Sequence, residues 1–188
     1  MRAVALAVLV VTGCGREPET PAPSARASSK PAPPREDARR EAGTEYTAAV
    51  ELERAGKPAE ALEAVRRSLA SAPTRDAYML GARLAITLGD DAQAERWTDA
   101  VIAEHPEDAL AFYNRGLIAQ RADRYNAART AYIAALRLQP NLADARYNLA
   151  LLVWSQGAKD EARHHVTRFL EMFPEDTRGP ALRQMMTK

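Results

Sequence analysis

The chain has 188 residues, 46 % of them apolar, a length that suits one domain with flanking segments or at most two small domains. Its 26 basic and 25 acidic side chains leave a net charge of +1, which excludes the one-signed basic surface of a nucleic-acid binder. A single cysteine, Cys14, excludes an intramolecular disulfide framework.

In chain order, Met1 and Arg2 give a short positive start, and Ala3 to Val11 is an unbroken apolar run ending in Thr12-Gly13-Cys14. The run is too short for a bilayer core, which takes roughly 20 apolar residues, and has the length of a secretory signal's hydrophobic segment. The ending Val11-Thr12-Gly13-Cys14 resembles a bacterial lipobox, with valine in place of the usual leucine. That resemblance implies a signal peptide over residues 1–13 and a diacylglycerol on the Cys14 thiol, which becomes the first residue of the mature chain. An ordinary secretory signal with an incidental cysteine, or an uncleaved anchor, is the alternative. Gly15 is not the aspartate that marks inner-membrane retention, so the expected location is the outer membrane, facing the periplasm.

Residues 14–35 hold Pro18, Pro21, Pro23, Pro31, Pro33 and Pro34 with Ser24, Ser28 and Ser29 between them. Proline fixes φ and removes donors, and with few large apolar residues the segment cannot offset its ordering entropy. It is expected to be a disordered tether, about 3.1 Å per residue where it is polyproline II.

From about Ala42 onward Ala and Leu dominate the apolar content, and both favour helix. Pro73, Pro106, Pro140 and Pro174 stand at steps of 33, 34 and 34. Ala61, Ala94, Ala128 and Ala162 keep the same steps, and Gly56, Gly89, Asp123 and Gly157 precede them where a tight turn would break a helix. A period of this length means stacked supersecondary units.

The pattern resembles the tetratricopeptide repeat. The third unit carries it most fully, in Phe112, Gly116, Ala119, Ala128, Tyr132, Ala135 and Pro140. The fourth gives Leu149, Ala150, Val153, Ala162, Val166, Phe169 and Pro174, and the first gives Ala48, Ala49, Leu52, Ala61, Val65 and Pro73. The second, with Tyr78, Ala82, Ala85, Ala94, Val101 and Pro106, departs most: Gly81 stands where leucine is usual and Thr98 where an aromatic is usual. The resemblance implies an all-α, right-handed superhelix (α-solenoid) of about four helix-turn-helix units near 42–74, 75–108, 109–142 and 143–176, in a domain over 36–176. Residues 177–188 are read as a C-terminal cap or tail, since Gly179-Pro180 suits a helix start and Leu182, Met185 and Met186 can cover the last unit.

The first helix of each unit lines a concave groove in this family. Its inward strips read Tyr46, Val50, Glu53; Met79, Arg83, Ile86; Tyr113, Leu117, Gln120; and Tyr147, Leu151, Trp154. Asn114 and Asn148 follow two of the tyrosines. In peptide-binding relatives an asparagine at this place bonds the ligand backbone, for which an amide has both donor and acceptor. The expected partner contacts are therefore Met79, Arg83, Tyr113, Asn114, Leu117, Tyr147, Asn148, Leu151 and Trp154. Each tyrosine and Trp154 can equally be a packing residue between units. No lysine lies on the strip and Arg83 is its one cation, so a clamp for a C-terminal carboxylate is not supported.

Catalysis is not expected. His105 adjoins Pro106, His164 and His165 point apart on a helix, and no phosphate-cradling glycine loop occurs. No catalytic residue, metal site, cofactor or small-molecule substrate is nominated. The sequence leaves three roles: an anchored adaptor binding a peptide or helix of another protein, like the tetratricopeptide lipoproteins that help envelope complexes assemble; a passive or self-associating spacer; and an accessory subunit of an enzyme complex.

Overall fold

The computed structural model describes residues 34–187, within one compact unit that begins at Pro34. The signal segment, Cys14 and the tether up to residue 33 lie outside the described residues.

The described residues form nine helices and no strand: α1 (Glu36–Arg54), α2 (Pro58–Ser71), α3 (Arg75–Leu88), α4 (Asp91–Glu104), α5 (Ala109–Arg121), α6 (Tyr125–Leu138), α7 (Ala143–Ser155), α8 (Lys159–Met172) and α9 (Gly179–Met186). The first eight pair in order as four hairpins. None of the nine is long and apolar enough to cross a membrane.

Each hairpin turns where the chain leaves right-handed helix. Gly56, Gly89 and Gly157 sit at φ 72°, 82° and 80°, and Asp123 at 55°, the left-handed region that favours glycine. The next residue's N–H then reaches back to close the helix end: Lys57 to the Leu52 carbonyl, Asp90 to Ala85, Arg124 to Ala119 and Ala158 to Val153, at 2.9–3.0 Å. The second helices stop for another reason. Each ends two residues before a proline, and proline drives its predecessor out of helical geometry. Ala72, His105, Gln139 and Phe173 accordingly have ψ of 117°, 71°, 89° and 61°.

Close approach of paired helices results from small residues. Ala49 and Ala61, Ala82 and Ala94, and Ala150 and Ala162 have no exposed surface. In the third hairpin the Tyr132 ring lies against Gly116, where a Cβ would overlap it, and the Tyr132 hydroxyl donates to Gln120 Oε1 at 2.9 Å. The second hairpin reaches the same density differently. The Trp97 ring covers Gly81, coming 2.8 Å from a Cβ placed there, so the missing leucine and the displaced aromatic compensate one another. Thr98 is fully buried beside it, and its hydroxyl has no partner among the described residues.

Helix α9 closes the array. Leu182 is 1 % exposed and, with Met185 and Met186, joins the cluster of Ala150, Val166 and Phe169. Its outward positions Pro180, Arg183, Gln184 and Thr187 are exposed and offer little apolar surface for a further unit. Arg178 secures the junction, bonding Asp144 at 2.7 Å and lying 4.8 Å over the Tyr147 ring.

Candidate functional site

Neighbouring first helices α3 and α5 touch each other directly, whereas the second helices α4 and α6 make no comparable contact. A stack curves toward the side where successive units approach, so the first helices line the concave wall. A cavity of about 200 Å³ opens in that wall between α1, α3 and α5. Met79, Leu80 and Leu110 with Tyr46 supply its apolar surface, and Arg75, Asp76, Arg83 and Asn114 its polar groups.

These polar groups differ in how firmly they are held. Arg75, at the start of α3, bonds Asp108 at 2.6 Å and Asp76 at 2.8 Å. Asp108 also caps α5, accepting from the Leu110 and Ala111 N–H groups at 3.0 and 3.1 Å. Burial works against ionising that carboxyl, yet the bonds from Arg75 and Ala111 outweigh it and hold Asp108 below the usual carboxylate range. Arg83 bonds Glu53 of α1 at 2.7 Å and keeps most of its surface in solvent. Asn114 is only 7 % exposed and its amide bonds no described residue, leaving a donor and an acceptor at the cavity wall.

Nine partner contacts were expected from the sequence, and the structure divides them. Met79, Arg83 and Asn114 meet in the cavity. Tyr113, Leu117 and Trp154, half-buried, pack on the cluster around Tyr132, Leu149 and Val153. Tyr147 and Leu151 pack with the cap, the Tyr147 ring 5.9 Å from Phe169. Asn148 donates to the Tyr113 hydroxyl at 3.3 Å, so these two successive-unit residues satisfy one another. Burial and the nearby Asp144 charge push the Tyr113 hydroxyl up, keeping it a neutral partner for that amide. The two asparagines are thus not equivalent.

Arg75 and Leu110 are cavity residues outside those nine. A signal for both was present: stepping the i, i+4 strip back one turn from Met79 and Asn114 reaches them. Leu110 is 40 % exposed, and with Arg75 it also borders a second opening toward His105 and Leu138 at the loop edge.

Chemically, the cavity offers an amide, two guanidinium groups with their counter-ions and an apolar floor. Such a set matches an extended backbone carrying an apolar side chain. Among the described residues no cluster of His, Cys, Asp or Glu could hold a metal ion.

A model of the tetratricopeptide repeat family matches residues 46–109 and 113–177. Among solved structures, MamA residues 41 to the end from Desulfovibrio magneticus RS-1 is similar at 20 % identity, with TM-score 0.66 over 72 % of this chain and 77 % of that one. YrrB, described as having an unusual peptide-binding site, is 15 % identical with TM-score 0.65 over 76 % and 74 %. The first TPR of Spaghetti, solved with the HSP90 peptide SRMEEVD, is 19 % identical with TM-score 0.60 over 63 % and 95 %. At these identities the likeness concerns the fold. No curated protein matches the chain.

Proposed function

This chain belongs to the tetratricopeptide-repeat family, and from that premise we propose that it is a membrane-anchored interaction scaffold holding a peptide segment of a partner protein in its concave groove. The observation that carries this reading is the Asn114 amide, which bonds no described residue and opens onto an apolar-floored cavity. A bound peptide backbone would exchange that amide's bond to water for one inside the groove, a net gain of about 0.5–1.5 kcal/mol. Met79, Leu110 and Tyr46 would receive an apolar side chain. Arg83, exposed and tied only to Glu53, would face the partner's charge. That solved neighbours include a TPR domain holding a peptide lends support by analogy.

The anchor in this proposal is the acylated Cys14, joined by the proline-rich tether to α1, with the domain in the periplasm beneath an outer membrane. Assistance in assembling an envelope complex fits such a placement. Replacing Cys14→Ser should move the chain from the membrane fraction to the soluble one and remove the lipid mass from its N-terminus.

For the groove, peptides selected from a random display library against the full chain provide the probe, with affinity read by fluorescence polarisation. Asn114→Ala should weaken binding about tenfold or more, a loss of about 1.4 kcal/mol. Asn148→Ala should change it little, because that amide serves Tyr113. Equal binding by wild type and Asn114→Ala would reject the groove reading.

A further inference from the structure

The period that aligns the hairpins also shows how each one fills the crevice between its two helices. In the first, Glu45 of α1 and Arg67 of α2 bridge it at 2.9 Å. In the second, Tyr78 takes the place of Glu45, and the Trp97 ring lies over Gly81. In the fourth, the corresponding residues are the long polar Arg146, Glu161, His165 and Arg168. In the third they are Phe112, Ala127, Ala131 and Ala134, and a cavity of about 420 Å³ stays open between α5 and α6. Ala131 stands one repeat after Trp97, and Arg115 one repeat after Gly81. The third hairpin thus lacks the indole that its neighbour provides for itself.

This cleft has the size of a ligand site, roughly 300–1,000 Å³, and an apolar floor. It is separate from the concave groove. Phe112 lies about 200° around α5 from both Leu110 and Asn114, and the two cavities share no lining residue.

The charge at its rim is one-signed. Arg115 is the single ionisable residue of the lining. Arg83, Arg121, Arg124 and Arg129 each reach a carboxylate of another hairpin at 2.7–2.9 Å. Arg115 stands 3.4 Å from Asp99 of α4, beyond good hydrogen-bond distance, with 47 % of its side chain exposed. Its planar fork of donors is therefore open to an incoming carboxylate.

We propose that the cleft between α5 and α6 is a second docking site, which receives an aromatic side chain of a partner protein carried beside an acidic residue. The ring takes the place that Trp97 fills one repeat earlier, lying on the three alanines against Phe112, and the carboxylate pairs with Arg115. The site stands independently of the groove. A chain with both would hold two partner segments on opposite sides of α5.

The probe is the dipeptide N-acetyl-Trp-Asp-amide, titrated into the ¹⁵N-labelled full chain and followed through its backbone amide resonances. Saturable shifts should centre on α5 and α6 around Ala127 and Ala131. N-acetyl-Ala-Asp-amide should bind at least about tenfold more weakly for want of the ring. N-acetyl-Trp-Lys-amide should bind up to about fivefold more weakly, and Arg115→Gln should erase that second difference. Ala127→Glu puts at an exposed position the residue that α8 carries there, and should abolish the Trp-Asp shifts without burdening the fold. Ala131→Trp should do the same by filling the cleft from within. A probe that moves no amide of α5 or α6, shifts that persist in Ala127→Glu, or equal binding of the Ala-Asp and Trp-Asp dipeptides would each overturn the site. Equal binding of the Trp-Lys and Trp-Asp dipeptides would overturn the acidic half of the partner's chemistry. Self-association of the chain that Ala127→Glu abolishes, read by sedimentation, would give the cleft to a second copy and overturn the partner.

Discussion

Gly116→Ala is expected to destabilise the protein in its native context and to stabilise it once Tyr132 is shortened. Alanine in a helix interior is favoured over glycine by about 1 kcal/mol, which alone would make the change beneficial. A Cβ at position 116, however, lies 3.0 Å from Tyr132 Cζ and closer still to the ring's Cδ1 and Cε1. The ring has no exposed surface, and its hydroxyl is held by Gln120, so it has nowhere to swing. Overpacking of this kind costs about 1–3 kcal/mol, leaving a net loss of roughly 0–2 kcal/mol, or up to about 8 °C in Tm at some 2–4 °C per kcal/mol. In a Tyr132→Leu background the clash disappears and the helical preference remains, so the same change should raise stability by about 1 kcal/mol. A double-mutant cycle by urea denaturation reads the difference as a coupling of about 1–3 kcal/mol. If Gly116→Ala stabilised both backgrounds equally, the ring would not be filling that gap, and the argument for how these hairpins pack would be wrong.

Single positions elsewhere give three more expected outcomes. Thr98→Val should stabilise by about 1 kcal/mol in chemical denaturation, because it removes a fully buried hydroxyl that bonds no described residue. Asp123→Val should cost about 1–2 kcal/mol in the same assay, since a β-branched residue resists the positive φ that Asp123 adopts. Arg178 holds the Asp176 carboxyl at about 2, below its ordinary 3.8, so the stabilisation is complete above pH 3.8 and lost as pH falls toward 2. Asp176→Asn should flatten that part of an acid-denaturation curve.

The architecture was largely written in punctuation. The four prolines and the four turn residues mark helix ends by backbone sterics, which act locally and therefore show in a sequence. The paired alanines, spaced to meet across each turn, announce close helix approach. The second hairpin looked irregular because its bulk comes from Trp97, one position before Thr98, against Gly81; only side-chain packing reveals that exchange. The site was less legible for the same reason. Asn114 and Asn148 stand at identical repeat positions, yet one meets an open cavity and the other the Tyr113 hydroxyl supplied by the preceding unit. Periodicity cannot separate them, because the difference lies in what each neighbour contributes. Tyr147 looked like a groove residue until Arg178 and Phe169, from the cap and the second helix, packed on it. Leu110 and Arg75 escaped the strip because they sit in the first turn of their helices, one turn before the positions at which the strip was begun.

Side-chain amide NMR offers the most direct test of the groove. With asparagine labelled by ¹⁵N in the full chain, saturation with a display-selected peptide should shift the Asn114 amide resonances strongly and leave those of Asn148 nearly in place. Saturable binding with the Asn114 signals unmoved would put the peptide elsewhere on the surface and contradict the account.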